Sequence, residues 1–371
     1  MSSTTLKELL DHGQSVWYDN IQRAMLQSGE LQRLVDDGVR GVTSNPTIFK
    51  NAISQGKEYQ ADITALSRQG KSANEIFDTL ALADVGAAAD VLRPVYDASD
   101  AVDGYVSIEV NPLLAHDTQS TVAEARRLFA ALARPNIMVK VPGTPEGIPA
   151  ICTLIGEGIN VNITLLFAVA MYRRAAEAYL DGLETAAAAG RDLRHIASVA
   201  SFFVSRVDTL GDKLLQAKID TSRDEAEKSR LNGLRGKLAI ANAKIAYRDY
   251  QVLFGSARFR KLAARGARPQ RLLWASTSTK NPAYRDVMYV EELIGAPTVN
   301  TMPPQTIQAF KEHGRLRDSL QEDPAGAEAV MKAIEAAGLS VDAITAQLLA
   351  EGVAAFSQSF NDLAAAVQTK M

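Results

Sequence analysis

Cysteine is almost missing from this chain: Cys152 is the only one in 371 residues, which excludes an internal disulfide framework and any multi-cysteine metal centre. With Ile151 and Leu154 beside it, its thiol reads as a core side chain. Histidine is nearly as scarce. His12, His116, His195 and His313 lie far apart, and no HxxxH or HExxH spacing puts two of them on one helix face, so no metal ligand set is expected. No GxxxxGK[ST] or GxGxxG loop follows a strand-like run, which removes the usual signal for nucleotides and dinucleotides. Neither sign of charge is in excess: 40 Lys and Arg stand against 43 Asp and Glu, so no broad field points to nucleic acid or an anionic membrane as partner. No stretch has the length and unbroken apolarity of a membrane span. The polar, helix-like start MSSTTLKELLDHGQSVWYDN lacks the apolar segment of a secretory signal, and a cytoplasmic chain is expected.

What is present is apolar residue in quantity, 47 %, enough for a sizeable core. Short β-branched runs alternate with longer Ala- and Leu-rich helical segments, the rhythm of a parallel sheet wrapped by helices. Strands are predicted at 16–19, 39–43, 105–110, 137–141, 159–164, 196–202, 272–276 and 298–300. Several are apolar almost throughout, as strands buried on both faces are. Eight such units suggest a closed α/β barrel, of (β/α)8 type, although spacing alone cannot close the ring. The expectation is one barrel domain over residues 1–371 with additional N- and C-terminal helices and a helical insertion, 207–271, before strand 7. Inside that insertion the charged segment TSRDEAEKSRLNG reads as a surface turn. Its basic end, Arg258, Arg260, Lys261, Arg265, Arg268 and Arg271, reads as a solvated face, because no aromatic platform interleaves with it. Pro303 and Pro304 start a further helix, and residues 322–371 read as C-terminal helices packed on the barrel, with Ile344, Leu348, Leu349, Val353, Phe356, Phe360 and Leu363 on one face.

The segment NIMVKVPGTPEGI carries the sharpest chemical signal, since Lys140 sits within a strand of Ile, Met and Val and just before a Pro-Gly turn. Burial disfavours an ammonium ion, and a lysine so placed can offer a free amine that attacks a ketone and forms an imine. It can equally snorkel from the strand end or pair with a carboxylate such as Glu109. In a barrel the site lies at the C-terminal strand ends, where this sequence has Asp19, Thr43, Ser44, Asn45, Glu109, Asn111, Asn162, Thr164, Ser201, Arg206, Ser276 and Lys280 beside Lys140. An amine, two carboxylates, carboxamides, hydroxyls and cations suit a polyhydroxylated, phosphorylated carbonyl compound. Each polar residue taken alone also reads as a turn or helix-cap residue.

GVTSNPTIF from Gly41 and IMVKVPGTPEGI from Ile137 resemble the two signature segments of the transaldolases; VSIEV, GINVNITLLF, ASVASFFVSRVDT and RLLWASTSTKNPAY resemble the family's other strands in the same order, from about Gln14 to Ile307. The long segment before strand 7 resembles the longer subgroup. The resemblance implies a Schiff-base aldolase-type barrel, circularly permuted relative to other such aldolases, that needs no cofactor. Lys140 would form the imine. Asp19 would transfer the proton at the hydroxyl next to the bond being broken, and Glu109 and Thr164 would hold a water used in dehydration. Asn45, Asn162 and Ser201 would grip the dihydroxyacetone unit, with Thr43 supporting the first strand-end loop and Phe203 lining the pocket, where core packing is its alternative reading. Arg206 would bind phosphate. Lys280 would be the second phosphate contact, although the shorter members have Ala-Ser-Phe-Arg where this chain has ASTSTKN.

The implied activity is transfer of dihydroxyacetone from sedoheptulose 7-phosphate or fructose 6-phosphate to glyceraldehyde 3-phosphate or erythrose 4-phosphate, in the non-oxidative pentose phosphate pathway, by a monomer or homodimer whose partners are sugar phosphates. A fructose-6-phosphate aldolase-like enzyme is the alternative, against which Glu109 and the chain length argue. A non-catalytic sugar-phosphate-binding barrel would be a third reading, since fold does not fix function.

Overall fold

The computed structural model describes residues 6–371. The first five residues of the expected N-terminal helix lie outside them; the helix itself runs Leu6–Asp11. Eight strands follow: β1 (Gln14–Tyr18), β2 (Val39–Val42), β3 (Tyr105–Glu109), β4 (Ile137–Pro142), β5 (Val161–Leu166), β6 (Ser198–Phe203), β7 (Arg271–Ala275) and β8 (Thr298–Met302). Each pairs in parallel with the next, and β8 returns to β1 with Gln14 opposite Thr298 and Tyr18 opposite Met302, so the sheet closes into a barrel. Every residue of β4, β5 and β6 is buried, because helices cover the outer face and the other strands cover the inner one.

Two backbone features shape the C-terminal end of the ring. The Pro-Gly pair after Lys140 turns the chain against β5: Gly143 donates its N–H to the Thr164 carbonyl at 2.7 Å, and a Cβ there would meet Leu166 at 2.5 Å. The register of β5 on β6 slips between Ile163 and Leu166, where Leu165 takes φ +60°. That left-handed bulge bends the strand end. The C-terminal helix Val341–Lys370 lies across it, with Gly352 so close to Leu165 that a Cβ would come within 2.9 Å. The same helix is tied to the helix Pro46–Gln55 by Thr47 and Ser359 at 2.8 Å and by Lys50 and Asp362 at 3.0 Å. Ile344, Leu348, Phe356 and Leu363 are its buried face, as the sequence spacing predicts.

The connection from β6 to β7 contains the helices Ser205–Thr221, Glu225–Asn232, Leu238–Phe254 and Ala257–Ala263. The charged segment expected as a turn is therefore mostly helix. Asp224 caps it through the Ala226 N–H at 2.9 Å, Glu225 and Glu227 occupy the first turn and Arg230 the last, so charge arrangement replaces apolar periodicity as its stabiliser. The basic end divides: Arg260, Lys261 and Arg265 are exposed, as expected of a solvated face, whereas Arg258 meets Glu177, Asp181 and Glu184 of the helix Val169–Ala188, Arg268 bonds Asp100 at 2.8 Å and Arg271 bonds Asp103 at 2.8 Å. Cys152, expected in the core, is half-buried on the helix Gly147–Gly156, whose apolar face is formed by its neighbours Ile151 and Leu154. Among the described residues no single helix is long and apolar enough to cross a membrane.

Candidate active site

Strand register sets Glu109 opposite Lys140, and Lys140 opposite Asn162, so that three polar side chains from β3, β4 and β5 stand abreast. Lys140 is 5 % exposed; its Nζ donates to the Ser44 carbonyl at 2.9 Å and lies 3.4 Å from Glu109 Oε2. That separation makes an ion pair rather than a well-formed hydrogen bond. Among the described residues neither carboxylate oxygen of Glu109 has a hydrogen-bond donor, and the buried hydroxyl of Thr164 has no hydrogen-bond partner. Buried polar atoms left this way are costly in a purely structural role and common where a reaction uses them. Burial pushes the Glu109 carboxyl above its ordinary range, with Lys140 pulling it part of the way back.

Asp19 stands just past β1. It accepts a hydrogen bond from Thr43 Oγ1 at 2.7 Å, and Thr43 Oγ1 is also 2.6 Å from Thr301 Oγ1. Burial raises the Asp19 carboxyl too, and Lys140, Thr43, Arg206 and Lys280 oppose the rise. Two carboxyl groups with raised affinity for a proton thus stand around one lysine, an arrangement suited to proton donor and acceptor roles. Alongside, Ser201 donates to Asn162 Oδ1 at 2.7 Å, and Asn162 Nδ2 donates to Ser107 Oγ at 3.0 Å, which fixes the carboxamide's orientation. Asn45 caps the helix Pro46–Gln55 by accepting from the Ile48 N–H at 3.0 Å, and its side chain also lines the cleft.

Arg206 and Lys280 stand where the cleft opens. Neither has a carboxylate partner within ion-pair distance among the described residues, and the Arg206 guanidinium lies over the Phe203 ring at 5.3 Å. Burial and the neighbouring Arg206 both lower the Lys280 amine's affinity for its proton. Asp19 acts on both cations from a distance, and two cations held near each other with no carboxylate in direct contact gain most from a bound anion.

The cleft has a volume of about 260 Å³ and is lined by ten of the residues singled out at the strand ends and in the pocket from the sequence: Asp19, Thr43, Asn45, Lys140, Thr164, Ser201, Phe203, Arg206, Ser276 and Lys280. Asn162 does not line it but is bonded to Ser201, and Glu109, in contact with Lys140, lines a neighbouring cavity of about 320 Å³ together with Ser44, Asn45 and Asn111. Asn111 is not part of the Lys140 cleft; its side chain caps the short helical turn Pro112–Leu114. Sequence reasoning missed Thr301, Gln305 and Phe356. Thr301 belongs to β8 beyond the predicted end of that strand, and Phe356 was legible only as one apolar position of an amphipathic helix. His12, His116 and His313 are each paired to a single carboxylate, Asp318, Glu146 and Asp286.

The family model described as "Transaldolase/Fructose-6-phosphate aldolase" matches residues 16–367. A protein of Trichodesmium erythraeum named "Transaldolase" is 47 % identical over 374 residues, covering 100 % of this chain and 98 % of the relative. "Transaldolase 2" of Nostoc punctiforme is 48 % identical with the same coverage, and "Transaldolase" of Acidothermus cellulolyticus is 49 % identical over 98 % of this chain and 95 % of its own length. A closed eight-stranded barrel with one buried lysine between two carboxyl groups, matched over nearly its whole length, places this chain in the transaldolase/fructose-6-phosphate aldolase family.

Proposed function

We propose that this chain is a transaldolase of the longer subgroup and that Lys140 carries the three-carbon unit. The observation that carries the reading is the juxtaposition of a 5 % exposed lysine, Glu109 at 3.4 Å from it, and, in the cleft that lysine lines, Asp19 with two cations that have no carboxylate partner at ion-pair distance among the described residues. Lys140 Nζ attacks the C2 carbonyl of a ketose phosphate. The carbinolamine loses its hydroxyl as water; Glu109, whose burial favours the protonated carboxyl, supplies the proton through a water that would satisfy its own oxygens and Thr164 Oγ1. Asp19 then takes the proton of the C4 hydroxyl as the C3–C4 bond breaks, and the bonding electrons pass into the Lys140 imine as an enamine. The aldose phosphate leaves. An incoming aldose phosphate reverses these steps, with Asp19 returning the proton to the new alkoxide.

Transfer, as opposed to simple cleavage, requires the enamine to stay bound until the acceptor arrives. Asn45 and Ser201, which line the cleft, would hold its hydroxyls with Asn162 behind Ser201, and Phe203 and Phe356 would shield it from water. Arg206 and Lys280 would serve donor and acceptor phosphates in turn. The reading includes action in the cytoplasm, as a monomer or homodimer with sugar phosphates as partners, and a single barrel domain in which 207–271 is the insertion and 322–371 the C-terminal helices.

The test is borohydride reduction with fructose 6-phosphate, peptide mapping, and a coupled assay with erythrose 4-phosphate. A three-carbon adduct on Lys140 and acceptor-dependent sedoheptulose 7-phosphate are expected, both lost in Lys140→Ala. Acceptor-independent release of dihydroxyacetone would make it an aldolase instead, and an active Lys140→Ala would sink the Schiff-base assignment.

A further inference from the structure

Arg206 and Lys280 reach the cleft from different parts of the chain, one in the first turn of the helix Ser205–Thr221, the other on the loop after β7. A lysine offers a single mobile charge where an arginine would offer a rigid fork, so its usefulness depends on how firmly its loop is held. Asp208 and Asp212 stand one turn apart on the Arg206 helix and are 1 % and 9 % exposed. Asp208 Oδ2 accepts from the Tyr289 hydroxyl at 2.8 Å, and Asp212 Oδ2 accepts from the Tyr284 hydroxyl at 2.5 Å. Both tyrosines follow Lys280 in the same segment, which Thr279 closes on itself through the carbonyls of Arg285 at 3.0 Å and Asp286 at 3.1 Å.

The second oxygen of each carboxylate is held by the β6–β7 connection: Asp208 Oδ1 by the Ala239 N–H at 2.8 Å, Asp212 Oδ1 by the Gly236 N–H at 2.9 Å. Gly236 has φ +71°, and a Cβ on it would meet the Tyr284 ring at 2.9 Å. On the other side Gly211 lets Leu238 approach the Arg206 helix, where a Cβ would lie 3.0 Å from the leucine. Three segments therefore meet on two carboxylates with every carboxylate oxygen engaged. Lys280 also lines the outer cleft formed over this junction, together with Asp212 and Tyr284.

We propose that Asp208 and Asp212, through Tyr289 and Tyr284, are positioning residues that set the separation of Arg206 and Lys280 for a substrate phosphate, and that the turn at 233–239 of the inserted segment exists to lock them. The inference rests on the reading of Arg206 and Lys280 as phosphate ligands. It gives the long β6–β7 connection a task within the site, although none of its residues from Leu234 to Ala239 lines the Lys140 cleft.

The test is the double variant Tyr284→Phe with Tyr289→Phe, which removes both hydroxyls and keeps both rings. KM for glyceraldehyde 3-phosphate rises about tenfold, equivalent to roughly 1.4 kcal/mol, while kcat and the KM for unphosphorylated glyceraldehyde change by less than about twofold. Calorimetry shows inorganic phosphate binding weakened by the same factor. Unchanged phosphate affinity, or an equal loss with both acceptors, overturns the proposal, the second because general loosening does not discriminate between them. Should the double variant fail to fold, Tyr284→Phe alone decides, since this ring is half-buried and Asp212 is the hydrogen-bond partner of its hydroxyl. If the wild-type protein forms no adduct on Lys140, the transfer reading falls, and the calorimetric comparison with inorganic phosphate still decides this one.

Discussion

Glu109 shows how much one oxygen can be asked to do. Its carboxyl lies beside Lys140 yet receives no hydrogen bond among the described residues, and burial raises its affinity for a proton while Lys140 opposes the rise. Glu109→Gln preserves shape and removes the proton, so kcat is expected to fall by about 10²–10⁴ with KM nearly unchanged, as general acid–base roles of this kind require. Rapid-quench borohydride trapping checks it, because the adduct should form slowly but completely; a wild-type trapping rate would remove Glu109 from the dehydration step. At this scale the sequence was most legible where a residue violated its surroundings. Lys140 among Ile, Met and Val is such a violation, and Asp19, Asn162 and Ser201 became visible once strand ends were assigned. Thr301 is polar in a Thr-rich segment and violates nothing, so only the 2.6 Å contact with Thr43 marks it.

The C-terminal helix Val341–Lys370 is the element whose place the sequence could not supply. Its spacing predicts a buried face, correctly, but a face has no address until it is packed. In the structure Phe356 closes one side of the cleft that holds Lys140. Phe356→Leu leaves the helix in place and opens that wall, and about a threefold or greater rise in acceptor-independent dihydroxyacetone release is expected as water reaches the enamine. Comparing free dihydroxyacetone with transfer product measures it; an unchanged ratio would assign water exclusion elsewhere. The helix Glu225–Asn232 was misread for the opposite reason: its stability comes from caps and charge, which a search for apolar periodicity does not register.

Across the whole molecule, buried carboxyls leave a mark on stability. Asp208 is pushed up from its ordinary value of 3.8 to about 7 by burial, against the hydrogen bonds from Ala239 and Tyr289. A carboxyl whose folded-state pKa is raised favours folding while it is protonated, and that contribution fades as pH rises from about 3.8 through about 7. The Asp208→Asn variant lacks this titration. Wild-type stability should therefore fall relative to the variant over that window, read as the difference in urea midpoint at pH 5 and pH 8; a constant difference would contradict the assignment. The order of eight strands could be read from alternating segments, whereas the join of β1 to β8 could not, because nothing in either segment names the other as neighbour. That join has a consequence for biosynthesis. Until β8 is made, a nascent chain carries a sheet with two unpaired margins, at β1 and β7, each offering free N–H and C=O groups to any other strand it meets. The interval between translating β1 and β8 is thus the period in which this protein is most exposed to association with the wrong partner, and completing the ring ends it.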